Sequence, residues 1–266
     1  MRLAIYTAKG GEGKSTTVQN LAAAFARAGD LGLAPRNLRT CAIDFDPQAN
    51  LTAFLGLEDD GEKTLSRVLR GEISTEDAIR DTYIPGLSMI TAGRSLASTM
   101  SRLVTVAGAQ QRLALALEGI GEDFDVVLID CPGALGFSFW MAMRAASAYL
   151  VPLWPNFAGM KGLSELFKQI NDERAEYNLA PSMLGIALVN VDYRLQRHMD
   201  AEAEVRERYG QAVFQPIVRT NTHVDEAQAR GFSVIDYAPR SRSAEGYRQL
   251  AGEVLHRAQR RGLLKI

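Results

Sequence analysis

Residues 3–16 read Leu3-Ala4-Ile5-Tyr6-Thr7-Ala8-Lys9-Gly10-Gly11-Glu12-Gly13-Lys14-Ser15-Thr16, and Val18, Leu21, Ala22 and Phe25 continue the stretch at helical spacing. An apolar run of strand length therefore passes through a glycine-rich turn straight into an apolar helix. Glycines let backbone N–H groups converge on one point, and the helix amino terminus adds partial positive charge there, which is what a bound anion requires. In the general pattern G-x-x-x-x-G-K-[ST] the lysine sits against the β- and γ-phosphates and the hydroxyl binds Mg2+. Those roles fall on Lys14 and Ser15. The chain departs from the pattern at its first position, where Ala8 stands in place of glycine and is followed by Lys9 and the pair Gly10-Gly11.

Outward from this loop, apolar runs of strand length alternate with longer segments of helical period. Strands are expected over residues 3–7, 40–44, 87–91, 126–130, 149–153, 184–190 and 212–218. Helices are expected over residues 14–27, 96–117, 137–146, 161–177, 198–209 and 243–260. This alternation predicts an α/β fold with one doubly wound, mostly parallel sheet and helices on both faces. No linker, repeat or low-complexity stretch divides it, so one domain over residues 1–266 is expected. Residues 29–38 suit an exposed loop without assigned function, and the polar stretch 59–79 is expected to cross the outside of the sheet near the site mouth.

Composition excludes several classes. With 266 residues, 47% of them hydrophobic, the chain can bury a substantial core and is neither disordered nor fibrous. A net charge of −1 excludes a uniformly cationic protein. Cys41 and Cys131 are too few for a disulfide scaffold or a four-thiolate metal site, and Cys131, beside a strand end, reads as a small buried residue. The amino terminus lacks a signal-peptide run and no stretch reaches the length of a membrane span, so a soluble cytoplasmic protein is expected. His198, His223 and His256 show no metal-ligand spacing and read as structural or surface residues.

Acidic residues end the strand patterns. Asp44 and Asp46, two residues apart in Ile43-Asp44-Phe45-Asp46-Pro47-Gln48, point the same way from an extended chain. The run Val126-Val127-Leu128-Ile129 ends in Asp130, which is thereby placed to hold Mg2+ through water. In a doubly wound sheet the ligand crevice lies beyond these carboxyl ends.

The segments KGGEGKST at residues 9–16 and DFDPQANLT at residues 44–52 resemble the deviant Walker A and DxDPQxNxT motifs of the ParA/MinD family of P-loop ATPases. The resemblance implies a P-loop NTPase fold, ATP and Mg2+ as cofactors, and a homodimer that closes on ATP. It implies that Lys9, Gly10, Gly11, Glu12, Gly13, Lys14, Ser15 and Thr16 form the nucleotide loop, with Lys9 reaching the partner subunit's phosphates. Asp46 is implied to orient or activate the attacking water and Asp44 to support the magnesium shell, while Asp130 takes the Walker B position. Gly133 departs from the family's D-x-P-P and is expected to alter loop shape more than chemistry. Asn190, ending Gly185-Ile186-Ala187-Leu188-Val189-Asn190, stands where relatives contact the base, and its amide can both donate and accept.

Residues 217–227, followed by Gly231, and residues 237–247 are similar to the ParA type in particular. From Ala227 onward Arg230, Arg240, Arg242, Arg248, Arg257, Arg260, Arg261 and Lys265 face only Asp236, Glu245 and Glu253. Such a patch suits phosphate contacts without sequence information. Non-specific DNA contacts are accordingly expected from Arg219, Arg240, Arg242 and Arg248. The resemblance further implies a nucleoid-associated partition or positioning ATPase and a small adaptor protein that stimulates hydrolysis, with the cargo open. A MinD-like membrane-associated regulator is the alternative. Residues 260–266 have a basic-apolar character but few apolar residues, so a membrane partner is not expected. An iron–sulfur carrier on the same core needs paired cysteines, which the chain lacks, and a metabolic P-loop ligase is disfavoured by Lys9 and the DxDPQ segment.

Overall fold

Strands rich in Val, Ile, Leu and Ala with no polar face must be covered on both sides, and helices follow nearly every one of them. A computed structural model describes residues 1–7, 11–133, 135–177 and 181–266. The chain runs β1 (Arg2–Ile5), α1 (Lys14–Ala26), β2 (Thr40–Asp44), α2 (Asn50–Phe54), α3 (Leu65–Arg70), β3 (Arg80–Asp81) and β4 (Leu87–Ile90). It continues through α4 (Leu96–Leu103), α5 (Arg112–Gly119), β5 (Val126–Asp130), α6 (Phe137–Ala145), β6 (Ala148–Leu153) and α7 (Phe157–Tyr177). The last part comprises β7 (Ser182–Val191), α8 (Gln196–Tyr209), β8 (Val213–Arg219), α9 (His223–Gln228), α10 (Val234–Tyr237) and α11 (Arg242–Arg260).

Among the described residues the sheet order is β3-β4-β2-β5-β1-β6-β7-β8. Neighbours run parallel except β3, which pairs antiparallel with β4 at one edge. After β1 the chain moves past β5 to build one side of the sheet, and from β6 onward it builds the other. The winding therefore reverses at β1, and its carboxyl end opens on a topological switch point. Strand register sets the depth of the site: Ile5 pairs with Asp130, and Asp130 with Asp44.

Side-chain alternation divides the core by sheet face. Leu3, Ile5, Ala42, Val126 and Leu128 pack under α1, α10 and α11, whereas Ala4, Tyr6, Cys41, Ile43, Val127 and Ile129 pack under α3 to α8. Tyr247, Leu250, Val254 and Leu255 of α11 are buried, each stabilising the fold by about 1.5–3 kcal/mol. Cys131 is buried and free, as expected, and Cys41 is likewise buried and free.

Several expectations need correction. The helix expected over 96–117 is two helices. Val104, Thr105 and Val106 are poor helix formers, and Gly108 at φ 74° turns the chain before the 3-10 turn Ala109–Gln111. The stretch 59–79 does not merely cross the outside: Leu65 and Leu69 of α3 are buried in the core. The segment 29–38 is the exposed loop expected, and it is tied down as well, since Asn37 Oδ1 accepts from the Gly29 and Asp30 N–H groups and Arg36 forks onto Asp125 at 2.7 and 2.9 Å. At the chain end Leu264 is buried, and Leu263 and Ile266 are half-buried against the core. No described helix is long and apolar enough to cross a membrane.

Candidate active site

Gly11 and Gly13 both adopt φ 81°, a left-handed conformation that glycine accepts without strain. A side chain at Gly11 would meet nothing within 4 Å, so backbone conformation and not space requires glycine there. Gly13 takes the N-cap position of α1 with no side-chain cap, so among the described residues no side chain closes the helix amino terminus. Lys14 is buried at the base of this turn. Gly11, Gly13, Lys14, Ser15 and Thr16 share a cleft of about 560 Å³ with Asp46, Gln48, Asn50, Pro132 and Gly133. Lys9 and Gly10 lie outside the described residues.

The three acids occupy different environments. Asp44 is fully buried, and its Oδ2 accepts from the Thr52 N–H at 2.8 Å and the Thr52 hydroxyl at 2.7 Å, while Oδ1 accepts from the Asp46 N–H at 3.2 Å. Burial pushes its pKa up to about 6 against the pull of Thr52. Asp44 thus brackets the turn that carries Asp46. Asp46 is half-buried at the cleft, its Oδ1 accepting from the Gln48 N–H at 3.0 Å. Asp130 is fully buried, and neither carboxylate oxygen has a hydrogen-bond partner among the described residues. Burial, and then the charge of Asp44, push its pKa well up, while the nearby Ser15 hydroxyl and Lys14 ammonium oppose the shift.

A buried carboxylate beside a serine hydroxyl is a donor set whose chemistry suits a hard cation. Among the described residues no group of three His, Cys, Asp or Glu side chains could hold a metal alone. An ion at Ser15 and Asp130 therefore needs further oxygens, which phosphate and water provide.

Asn190, exposed at φ 54° one residue before the end of β7, lines a separate pocket of about 250 Å³. Gly11, Glu12, Gly13 and Thr16 line the same pocket, so the structure brings Asn190 to the loop. Trp154, Thr220, Asn221 and Asp225 line it too. None of the four was given a site role from the sequence, although Thr220, Asn221 and Asp225 lie in the 217–227 segment that resembles the ParA type; Trp154, Thr220 and Asn221 follow strand ends, where crevice walls originate, and Asp225 stands in α9.

Arg219, Arg240 and Arg242 converge on a neighbouring cleft of about 440 Å³, joined by Arg194 and His223. Arg219 lies 5.1 Å from the centroid of the Tyr193 ring. Arg248 does not join them: its guanidinium donates to the Pro239 carbonyl at 2.7 Å and to Glu245 at 2.6 Å. Arg257 is likewise held, by Glu253 and the carbonyls of Leu184, Ala212 and Val213. His198 is buried, and its Nδ1 accepts from the Asp192 N–H at 3.0 Å, a structural role.

The AAA_31 family model, described as an AAA domain, matches residues 1–183. The chain is 32% identical over 253 residues to the sporulation initiation inhibitor protein Soj of Bacillus subtilis, covering 95% of this chain and 97% of that one. It is 35% identical over 262 residues to the chromosome partitioning protein ParA of Caulobacter vibrioides, covering 97% and 95%. Among solved structures it is similar to a cobyrinic acid a,c-diamide synthase from Mycobacterium smegmatis with bound ATP analog and magnesium, at TM-score 0.80, 29% identity and coverage of 98% and 96%. The cell division ATPase MinD of Pyrococcus furiosus shares the fold at TM-score 0.78 and 24% identity, covering 96% and 98%. Phosphate loop, sheet order and full-length similarity agree: the chain belongs to the AAA_31 family and is a P-loop ATPase of the ParA/MinD family, of the ParA type.

Proposed function

We propose that the chain binds ATP with Mg2+, closes into a homodimer, holds DNA without sequence preference at the nucleoid, and hydrolyses ATP under stimulation by a small adaptor protein. Repeated over many cycles, this would segregate or position a cargo such as a plasmid, a chromosome or a protein body. The observation that carries the reading is a juxtaposition: Gly11, Gly13, Lys14, Ser15 and Thr16 share a cleft with Asp46, the buried Asp130 stands close to Ser15 and Lys14, and the base pocket shares Arg219, Thr220 and Asn221 with the arginine cleft. Binding at the first site can therefore bear on the second.

Within that reading, Lys14 and the α1 first-turn N–H groups hold the β- and γ-phosphates, and Asn190 meets the adenine edge. Ser15 and Asp130 hold Mg2+, with Asp44 supporting the turn beside them. The bound ion neutralises phosphate charge. Asp46, at the cleft and less buried than its neighbours, orients the attacking water. The role of Lys9, a second cation on the partner subunit's phosphates, rests on sequence resemblance. Arg219, Arg240 and Arg242 contact DNA phosphates, whereas Arg248 is committed to Glu245 and Pro239. The membrane-associated alternative is disfavoured by the chain end, where Leu264 is buried.

Retention of the purified protein on duplex DNA of arbitrary sequence, measured with ATP, with ADP and without nucleotide over a salt series, tests the reading. Retention is expected with Mg-ATP alone and to fall linearly on a log–log salt plot by about 0.9 per phosphate engaged. Equal retention in all three states would refute it, and ATP-dependent sedimentation with anionic liposomes instead would establish the membrane alternative.

A further inference from the structure

The helix that follows the phosphate loop carries an unusual polar stripe. Gln19 and Asn20 are completely buried in α1, where an amide without partners costs about 1–3 kcal/mol. Both are bonded, and to remote backbone. Gln19 Nε2 donates to the Phe54 carbonyl at the end of α2 and to the Phe232 carbonyl at 2.9 Å. Asn20 Oδ1 accepts from the Val234 N–H at 2.9 Å, and Asn20 Nδ2 donates to the Thr16 carbonyl at 2.8 Å. Gln228, at the end of α9, donates to the Thr16 hydroxyl at 2.9 Å and lies 3.5 Å from Gln19 Oε1.

Thr16 follows Ser15 and lines both the cleft with Asp46 and the pocket with Asn190. Residues 228–234 are thus tied to the first turns of α1 and, through Gln19, to α2. A second contact reinforces the tie. Gly231 at φ 74° and Gly56 at φ 70° meet backbone to backbone, and a Cβ on Gly231 would fall 2.7 Å from Gly56 Cα. On one flank of this clamped segment stands Arg219 and on the other Arg240 and Arg242, the arginines that converge on one cleft.

The two kinds of bond differ in what can move. Those of Gln19 and Asn20 come from fully buried side chains and hold residues 232–234 in place. Gln228 is half-buried, with its amide on a hydroxyl at the rim of the pocket, where nucleotide would enter. We propose that Gln228 is a positioning residue through which occupancy of the phosphate loop sets the arrangement of residues 219–242, with Gln19 as the fixed point. An anion on the first-turn N–H groups fixes Thr16, Thr16 fixes Gln228, and α9 then holds one position relative to the buried anchor. Such coupling is reciprocal, so a ligand on the arginine cleft raises nucleotide affinity by the same factor. The relay rests on the proposed nucleotide site, and its consequence for DNA rests on the proposed arginine contacts.

Hydrogen–deuterium exchange over residues 219–242, with and without Mg-ATP, tests it in the wild type, in Gln228→Met, which keeps length without donors, and in Gln228→Asn, too short to reach Thr16. Nucleotide is expected to slow exchange over this segment several-fold in the wild type. Both variants should bind ATP about as tightly as the wild type and lose most of that slowing. Unchanged slowing in the variants, no slowing in the wild type, or a variant that exchanges faster by the same factor in both states overturns the relay. Loss of the response in the variants, in a protein that nevertheless ignores DNA, upholds the relay and refutes the DNA reading alone.

Discussion

Asp46 Oδ1 accepts from the Gln48 N–H within its own turn, while the fully buried Asp44 is bracketed by Thr52 and the Asp46 N–H. Two carboxylates of one motif thus divide the labour: Asp44 shapes the turn and Asp46 faces the cleft. Replacing Asp46 with Ala leaves the Thr52 bonds in place. Asp46→Ala should therefore bind ATP and retain DNA while turnover falls by about 10²–10⁴-fold, as steady-state hydrolysis and equilibrium nucleotide binding would show. Wild-type turnover would remove Asp46 from the mechanism. Thr52→Val acts on the other partner. It withdraws a hydroxyl from a buried carboxylate and should cost about 1–3 kcal/mol, read as a lower denaturant midpoint with unchanged slope. Although β2 stops at Asp44 and Asp46 stands in the turn beyond it, not on an extended chain, the acids themselves were legible, because an apolar strand run ends on Asp44 and the motif continues to Asp46. Their unequal burial was not, since Thr52 reaches Asp44 only once α2 folds back across the strand end.

Among the elements, the central strands matched expectation within about two residues, because continuous apolar runs between polar turns are a strong signal. The short pieces were not foreseen. β3, α2, α9 and α10 are each too short to display a period, and neighbours hold them in place. The loop at 29–38 shows how such holding works. Arg36 and the Arg39 N–H lock Asp125 at the start of β5, and the Arg36 fork holds its pKa down at about 2. A carboxylate depressed below its usual value of about 3.9 stabilises the fold fully above that pH and loses the contribution as pH falls through the lower value. Asp125→Asn should therefore lower the melting temperature at pH 7, with the gap closing as pH falls from about 4 toward 2. A gap of constant size would show that the ion pair contributes nothing.

Over the whole molecule, a net charge of −1 conceals a sorted surface. Arginines 248 and 257 are neutralised by Glu245 and Glu253 and bonded to carbonyls, whereas Arg240 and Arg242 are exposed and stand on the cleft. The double change Arg240→Ala and Arg242→Ala should weaken ATP-dependent DNA retention uniformly across sequences and reduce the salt slope by about one for each arginine removed, with hydrolysis in the absence of DNA unchanged. An unaltered slope would place the DNA-binding face elsewhere. By itself the sequence determined the parallel α/β sheet, the phosphate loop and the acids at the strand ends, because each is written in local spacing. Only the tertiary structure decided which arginines are committed to ion pairs and carbonyls, that Asp130 stands fully buried beside Ser15 and Lys14, and that Gln228 reaches Thr16. Those facts depend on groups far apart in the chain, whose hydrogen bonds exist only once the sheet has brought them together.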